Sequence, residues 1–410
     1  MTEKRIVIVG AGQAGLETAT ALRQRGFEGQ VTIVGEEEHE PYQRPPLSKD
    51  FLKSGGSTTT GVFLRAPSFF TEKRIDLRLG ARAERIDREE HRLILRGGEA
   101  LSYDHLVLAT GATNRRLPVP GLDHPDVLEL RGLDHARRLL DRLPRFGHVC
   151  IIGGGFIGLE IASFLREKDV AVTVVEATAR LMGRVVSKQM SRFFRDFHER
   201  SGVAFRFEAP VTEVAHGAQG STVRLTDGGV IEADAVLLAA GVVPDDALAR
   251  AAGLAVDDGI VVDELLLTSD PAISAIGDCA AHPSRFATGR VRLESVQNAL
   301  DQAKCVAARL TGAPHPYDSV PWFWSTQGTA RLQIAGLATD ADDDILRGDP
   351  ASGRFSVYRY KCEVLRAVET VNNPGEHMLA RRLIAAGVPV AREQVRDPDF
   401  DLKRLLPKEA

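Results

Sequence analysis

Two short stretches carry the residue types and spacing that could do chemistry. They are Gly10-Ala11-Gly12-Gln13-Ala14-Gly15 and Gly153-Gly154-Gly155-Phe156-Ile157-Gly158, both G-x-G-x-x-G. In such a motif the first glycine allows a tight turn, the second lets a pyrophosphate approach the backbone, and the third lets helix pack on strand. The helix that follows offers free N–H groups and a positive dipole end to phosphate oxygens. Each copy is completed by an acid roughly 20 residues past its last glycine, where a ribose hydroxyl would be bound. Those acids are Glu36, after Val31-Thr32-Ile33-Val34-Gly35, and Glu176, after Val172-Thr173-Val174-Val175. One glycine fingerprint alone is weak evidence. Two copies, each with its acid, imply that one chain binds two dinucleotides. The simplest chemistry is electron transfer between a nicotinamide and a flavin.

Other residues could serve that chemistry. Arg44 and Lys49 flank the stiff segment Pro41-Tyr42-Gln43-Arg44-Pro45-Pro46-Leu47-Ser48-Lys49-Asp50-Phe51, in which Ser48 could cap a short helix. On residue type alone these cations read equally as a solvated loop. Arg131 stands before a helical pattern at 133–143 and is either a surface cation or a phosphate ligand. Glu160 lies early on the helix after Gly158, where a carboxylate also simply favours the positive helix end. Asp278 follows Gly277 at the end of Ile273–Ile276, the carboxyl end of a strand, where open α/β sheets bind ligands. Trp322 and Trp324, the only tryptophans, share Pro321-Trp322-Phe323-Trp324-Ser325 and are either core or one ring facing a cofactor.

The positioning elements follow from the pattern. Ile6–Val9 and Val149–Ile152 are buried strands feeding the glycine turns. Leu106–Leu108 with Ala109-Thr110-Gly111, and Val236–Leu238 with Ala239-Ala240-Gly241, are matching strands that flank the second fingerprint. The predicted fold is therefore α/β, with one Rossmann-like dinucleotide-binding domain inserted in another. Helices are predicted at 133–143, 187–200 and 295–311. Alternating patterns predict strands in 61–104, with turns at Gly80 and Gly97-Gly98, and at 203–208, 211–215, 222–226 and 230–232. After about residue 319 the pattern changes to strands at 330–336, 343–347, 354–360 and 363–370 and a helix at 375–386, a third, α+β domain. The expected boundaries are 1–110 with 241–318, 111–240, and 319–410.

The chain has 410 residues, which calls for two or three domains. Its net charge of −4 argues against bulk nucleic-acid binding. No apolar run of about 18 residues exists, so no membrane span is expected, and with the first strand starting at Arg5 the expected location is cytoplasmic. Cys150, Cys279, Cys305 and Cys362 form no C-x-x-C pair, which excludes a vicinal redox dithiol and gives no metal-ligand spacing. Cys150, inside a strand, reads as a small apolar filler.

At Gly10–Gly15, Gly153–Gly158 and Thr268–Asp278 the sequence resembles the two-dinucleotide flavoprotein disulfide reductase-like superfamily, with its glutathione reductase-like fold. Pro41–Lys49, Glu294-Ser295-Val296-Gln297-Asn298-Ala299 and Pro321–Ser325 narrow this. Together they are similar to the NADH-dependent ferredoxin reductases of bacterial oxygenase systems, over nearly the whole chain. The resemblance implies FAD at the first fingerprint, held by Gly10, Gly12, Ala14, Gly15, Glu36, Arg44, Lys49, Ala83, Ala109, Thr110, Gly111, Arg131, Asp278, Val296 and Trp324. It implies NADH at the second, held by Gly153, Gly155, Phe156, Ile157, Gly158, Glu160, Glu176 and Gly241. It also implies that Lys49 and Glu160 approach each other beside flavin N5. One departure is Asp245, which follows Pro244 where relatives often carry Asn.

Under this resemblance, NADH delivers hydride to the flavin, Lys49 stabilises the reduced ring, and Glu160 orients Lys49 or the nicotinamide. Glu176 would favour NADH over NADPH, although Arg180 nearby could accept a phosphate. Electrons would pass singly to a 2Fe-2S ferredoxin, docked transiently and electrostatically, that feeds a haem-thiolate cytochrome monooxygenase or a Rieske dioxygenase. Because the chain is net acidic, docking needs a local basic face, for which Arg65, Arg290, Arg292, Arg331 and Arg359 are candidates. Alternatives on the same frame are an NADH oxidase, against which the cysteine-free loop at Pro45-Pro46 counts, and a rubredoxin reductase. A further one is a non-catalytic flavoprotein switched by nicotinamide.

Overall fold

The computed structural model describes residues 4–57 and 61–407. Contacts divide the chain into two compact units, one of Met1–Gln43, Thr60–Thr113 and Val243–Pro321, the other of Arg44–Thr59, Asn114–Val242 and Trp322–Ala410.

The first unit is built on a five-stranded parallel sheet in the order Ile273–Ala275, His105–Leu108, Arg5–Val9, Gln30–Val34, Ile75–Arg78. Parallel strands covered on both faces must be apolar along their whole length. Hence Ile6–Val9 and Leu106–Leu108 are buried without alternation. The chain order reverses between Arg5–Val9 and His105–Leu108, the switch point at which doubly wound sheets bind ligands. Helix Gln13–Gln24 follows the central strand and packs on helix Val296–Leu310. A three-stranded meander, Ala83–Asp87, Arg92–Leu95 and Ala100–Ser102, precedes His105–Leu108. The region 61–104, read as strand pattern throughout, also contains the short helix Ser68–Glu72. Its period is too brief to stand out from alternation.

The second unit repeats this plan. Its parallel sheet runs Val203–Phe207, Ala171–Glu176, His148–Ile152, Ala235–Leu238, Leu128–Glu129. Helix Phe156–Glu167 follows the central strand, and a meander of Val211–Gly217, Gly220–Leu225 and Val230–Ala233 precedes Ala235–Leu238. This unit also holds an antiparallel sheet of Trp322–Gln327, Ala330–Gly336, Val364–Val371, Arg354–Lys361 and Asp343–Asp349, with helix Pro374–Ala386 against it. Its inner face packs Leu332, Phe355, Val357 and Val371 on Leu159, Met190 and Phe194. Cys150 is fully buried, and burial pushes its thiol up to about 12, as an inert filler should be. Among the described residues no helix is long and apolar enough to cross a membrane.

Buried histidines tie stability to pH. His105 in the first unit shares the Ser274 hydroxyl (2.9 Å) with Arg309 (2.6 Å). Burial, aided by Arg309, lowers its pKa to about 3. A base held neutral by the fold protonates only on unfolding, so stability is present above pH ~6.5 and is lost as pH falls from there toward 3. Substituting His105→Gln should flatten the fall of the thermal midpoint between pH 6.5 and 4. The equivalent is up to about 1.4 kcal/mol per pH unit. An unchanged slope would show that His105 titrates normally in the folded chain.

Candidate active site

In the first unit the glycine turn is forced by close backbone approach. Gly10 has φ +115°, and a Cβ there would stand 2.1 Å from the Ala109 carbonyl oxygen. A Cβ on Gly15 would stand 1.9 Å from the Gly10 carbonyl oxygen. No other residue fits either place. Gly12 differs: a Cβ there meets nothing within 4 Å. Helix Gln13–Gln24 has no side-chain cap and no acid in its first turn. Open space and uncapped N–H groups therefore coincide where a pyrophosphate would lie, and the residues fit the group that the sequence implies.

Around this turn the structure gathers Ala14, Ala109, Thr110, Gly111 and Asp278. Gly277, with φ +75°, lies 3.3 Å by its would-be Cβ from Ala14, which brings Asp278 to the turn. Gln302 fixes Gly277 by accepting its N–H (2.7 Å). The Thr110 hydroxyl donates to the Asp245 carbonyl (2.6 Å), and the Asp245 N–H donates to Gly111 (3.0 Å). Asp245 thus works here through its backbone, while burial raises its carboxyl above the usual range. Glu36 stands just past strand Gln30–Val34 and pairs with Arg82 (2.9 Å), the residue before Ala83. Val296 opens helix Val296–Leu310, whose cap is the Ser295 hydroxyl.

The second unit copies the geometry. Gly153 has φ +115° and a would-be Cβ 2.3 Å from the Ala239 carbonyl oxygen, and that of Gly158 is 2.2 Å from the Gly153 carbonyl oxygen. Gly155 again faces open space, and helix Phe156–Glu167 again has no side-chain cap. Glu176 accepts the Gly154 N–H (2.8 Å) on one oxygen and the Thr178 N–H (2.8 Å) and hydroxyl (2.7 Å) on the other. A carboxylate has about four acceptor positions, so with three taken about one remains for a ribose hydroxyl. Ile157 is exposed at the helix start, whereas Phe156 packs on Phe323, 4.6 Å between ring centres. Gly241 carries φ +88°, with an Arg184 nitrogen 3.3 Å from its would-be Cβ.

Within the same unit lies the charged cluster. Glu160 is buried, yet Lys49 Nζ is 2.6 Å from its Oε2. Ser48 donates to the same oxygen (2.5 Å), and Ser325 donates to Oε1 (2.7 Å). Removing one partner from such a pair strands a buried charge, at a cost of about 3–5 kcal/mol. Both carboxylate oxygens are therefore fixed, and Lys49 is aimed by them. Ser48 does not cap a helix: it ends the turn Pro45–Ser48, Lys49 precedes helix Asp50–Lys53, and the hydroxyl is taken by Glu160 instead. Arg44 donates to the Arg131 carbonyl (2.7 Å). Trp324 is half-buried, 5.5 Å from the Trp322 ring.

Three arginines have different partners from those expected. Arg180 spends its guanidinium on its own loop, donating to the Val186 (2.7 Å) and Gly183 carbonyls, so it is not offered to a phosphate. Arg292, with a side chain 9% exposed, is held by Asp258 and Glu294, and Arg359 is held by Asp344 and Glu369. Neither can dock a partner. Arg65, Arg290 and Arg331 are exposed. Ser48 and Ser325 were missed as Glu160 partners, although both lie in motifs that marked the region.

Residues 4–303 match the pyridine nucleotide-disulphide oxidoreductase family, and residues 322–406 match the reductase C-terminal family. The chain is 49% identical to rhodocoxin reductase of Rhodococcus erythropolis, over 97% of this chain and 93% of the relative. Its fold superposes with a TM-score of 0.95 on the ferredoxin reductase for the CYP199A2 system of Rhodopseudomonas palustris, at 46% identity and covering 98% and 99% of the two chains. With the reductase of the covalent putidaredoxin reductase–putidaredoxin complex the TM-score is 0.94, at 38% identity and 98% of each chain. Two duplicated glycine turns, a reductase C-terminal sheet and this likeness along the whole chain agree: the chain belongs to the pyridine nucleotide-disulphide oxidoreductase family, among its ferredoxin reductases.

Proposed function

We propose that this protein is an FAD-dependent reductase that accepts hydride from NADH and passes single electrons to a 2Fe-2S ferredoxin serving a cytochrome monooxygenase or a Rieske dioxygenase. The observation that carries this reading is the Lys49–Glu160 pair, whose lysine stands in the early segment where a redox cysteine would otherwise be needed, within a chain bearing two open glycine turns. Relatives at 38–49% identity are reductases named for their ferredoxins or oxygenases, which supports the partner class. A cytoplasmic location is supported by Cys150, Cys279 and Cys305, all free and buried.

The bound cofactors supply hydride and electron transfer; the chain supplies position and electrostatics. Holding two reacting groups in contact is worth about 7–11 kcal/mol. In this reading Gly12, Ala14 and Gly15 seat the FAD pyrophosphate, Asp278 accepts from a hydroxyl of its chain, and Glu36 accepts from its ribose. Gly155, Ile157 and Gly158 seat NADH, and Glu176 accepts from its ribose. Lys49, aimed by Glu160, Ser48 and Ser325, holds positive charge for the negative charge that reduction creates.

Reduction of cytochrome c by NADH, with and without an acidic 2Fe-2S ferredoxin and with oxygen uptake followed, tests the whole reading. A many-fold rise on adding ferredoxin is expected. Oxygen consumed in step with NADH and no rise would move the assignment to an oxidase. The two turns separate by substitution. Gly12→Ala meets no protein atom, so the chain should fold with its flavin lost or weakened. Gly155→Ala should keep its flavin and raise KM for NADH about tenfold or more. Lys49→Met should slow flavin reduction by about 10- to 100-fold and shift the flavin potential. Unchanged values for both would remove Lys49 from the chemistry. NADH should exceed NADPH in kcat/KM by about tenfold or more, at least ~1.4 kcal/mol, since a 2′-phosphate would face Glu176. Preference for NADPH would overturn the role of Glu176.

A further inference from the structure

The segment from Glu176 to Ser187 lies on the second glycine turn. Met182 donates its N–H to the Gly154 carbonyl (3.0 Å), and Leu181 Cδ2 lies 2.7 Å from where a Cβ on Gly154 would stand. Arg184 lies beside Gly241, and Val185 is 44% exposed next to it. Met182 itself has φ +50°. A side-chain residue keeps that conformation only where its surroundings impose it.

What imposes it comes from the C-terminal sheet of the same compact unit. Arg359, on strand Arg354–Lys361, donates Nη1 to the Val185 carbonyl (3.0 Å). Glu369, on strand Val364–Val371, has no exposed surface and accepts from Ser187 twice, from the N–H (2.8 Å) and from the hydroxyl (2.6 Å). The Ser187 hydroxyl in turn accepts the Met190 N–H (3.1 Å) and caps helix Lys188–Arg200. Arg359 and Glu369 are joined to each other (3.0 Å), and Asp344 holds the other side of the guanidinium (3.0 Å). Gln327, from strand Trp322–Gln327, donates to the Met182 sulfur (3.6 Å). A buried ion pair adds little to stability over a well-packed apolar pair. Its use here is in where it puts the loop: both ends of its bonds reach the segment that rests on Gly154.

We propose that Glu369 and Arg359 are positioning residues for the nicotinamide dinucleotide, acting through Val185 and Ser187 to hold the Glu176–Ser187 segment against the second glycine turn. This rests on the reading that the second turn takes NADH. The C-terminal sheet is then part of coenzyme binding without touching the coenzyme. Neither Glu369 nor Arg359 enters the hydride step.

The test uses the flavin-loaded protein with Ser187→Ala, Glu369→Gln and the hydroxyl-preserving Ser187→Thr. Calorimetric titration with NAD+ gives the dissociation constant. The dependence of flavin bleaching on NADH concentration gives a second binding constant and a separate limiting rate. Loss of the hydroxyl's bond to Glu369 and of its bond from the Met190 N–H predicts about 3- to 10-fold weaker binding for Ser187→Ala and at least as much for Glu369→Gln. The limiting rate should stay within about twofold and flavin content should be unchanged. Ser187→Thr should restore binding. Should Glu369→Gln not fold, Ser187→Ala carries the test alone. Unchanged binding, or binding, limiting rate and flavin content falling together without rescue by threonine, would overturn the proposal. Gly155→Ala and Glu176→Ala serve as reference. If they also leave NAD+ binding intact, the assignment of the second turn has failed; if they abolish it while Ser187→Ala does not weaken it, only the positioning role has failed.

Discussion

The structure depends on one steric constraint, met twice: the carbonyl just past the strand beside the central one presses on the first glycine of the turn. At Gly10 the neighbour is Ala109 and at Gly153 it is Ala239, each closer to a hypothetical Cβ than any real contact allows. That closeness brings the ends of adjacent parallel strands to one edge, and the order reversal at the same edge opens a crevice. The third glycine then lets the helix start directly over the turn. The second glycine alone has space in front of it, and the helix behind it is left uncapped. The uncapped N–H groups and the positive helix end face that space, an arrangement that suits an anion.

The charged cluster obeys a different rule. A buried carboxylate is tolerable only when its oxygens are satisfied. Glu160, on helix Phe156–Glu167, meets this with one ammonium and two hydroxyls drawn from two other segments of the same unit, Pro45–Lys49 and strand Trp322–Gln327. Because the first of these segments supplies two partners and the strand the third, neither can shift without leaving the buried carboxylate under-satisfied. The rigid proline pair sets where Ser48 and Lys49 stand, and the tryptophan strand sets Ser325. Such a cluster fixes an ammonium in direction as well as in place, which a solvated lysine cannot do.

Most of the parallel architecture was legible because its signals are local: a β-branched run, glycines at fixed offsets, an acid one strand later. Four strands and the helix at 375–386 in the last 90 residues were legible from period alone; strand Trp322–Gln327 was not, because its aromatic run read as a motif. What failed was the partnership of polar side chains. Ser48 offers a helix-capping pattern, but the competing acceptor is over a hundred residues away and stronger because it is charged. Arg292 and Arg359 look like surface cations in a list of residue types, and only the tertiary fold shows the carboxylates that claim them. Arg180 is the same case at short range, its guanidinium turned onto carbonyls of its own loop. Residue type gives charge; it does not give the partner.

That distinction bears on what the C-terminal sheet is for. If its arginines and acids were a docking face, they would be exposed and their pairing would be dispensable. Instead Arg359 and Glu369 are withdrawn from solvent, and their remaining bonding capacity is directed at main-chain groups of the segment carrying Met182. Apart from the Ser187 hydroxyl, the groups gripped are a main-chain oxygen and N–H, so the grip does not depend on the side chains at Arg184 and Val185. Val185, exposed between the gripped groups, can vary while the path of the backbone stays fixed. The same logic governs the glycine turns, where backbone meets backbone and side chains are excluded. In both places the chain fixes main chain with main chain or with buried charge, and leaves uncapped helix ends and open space beside it.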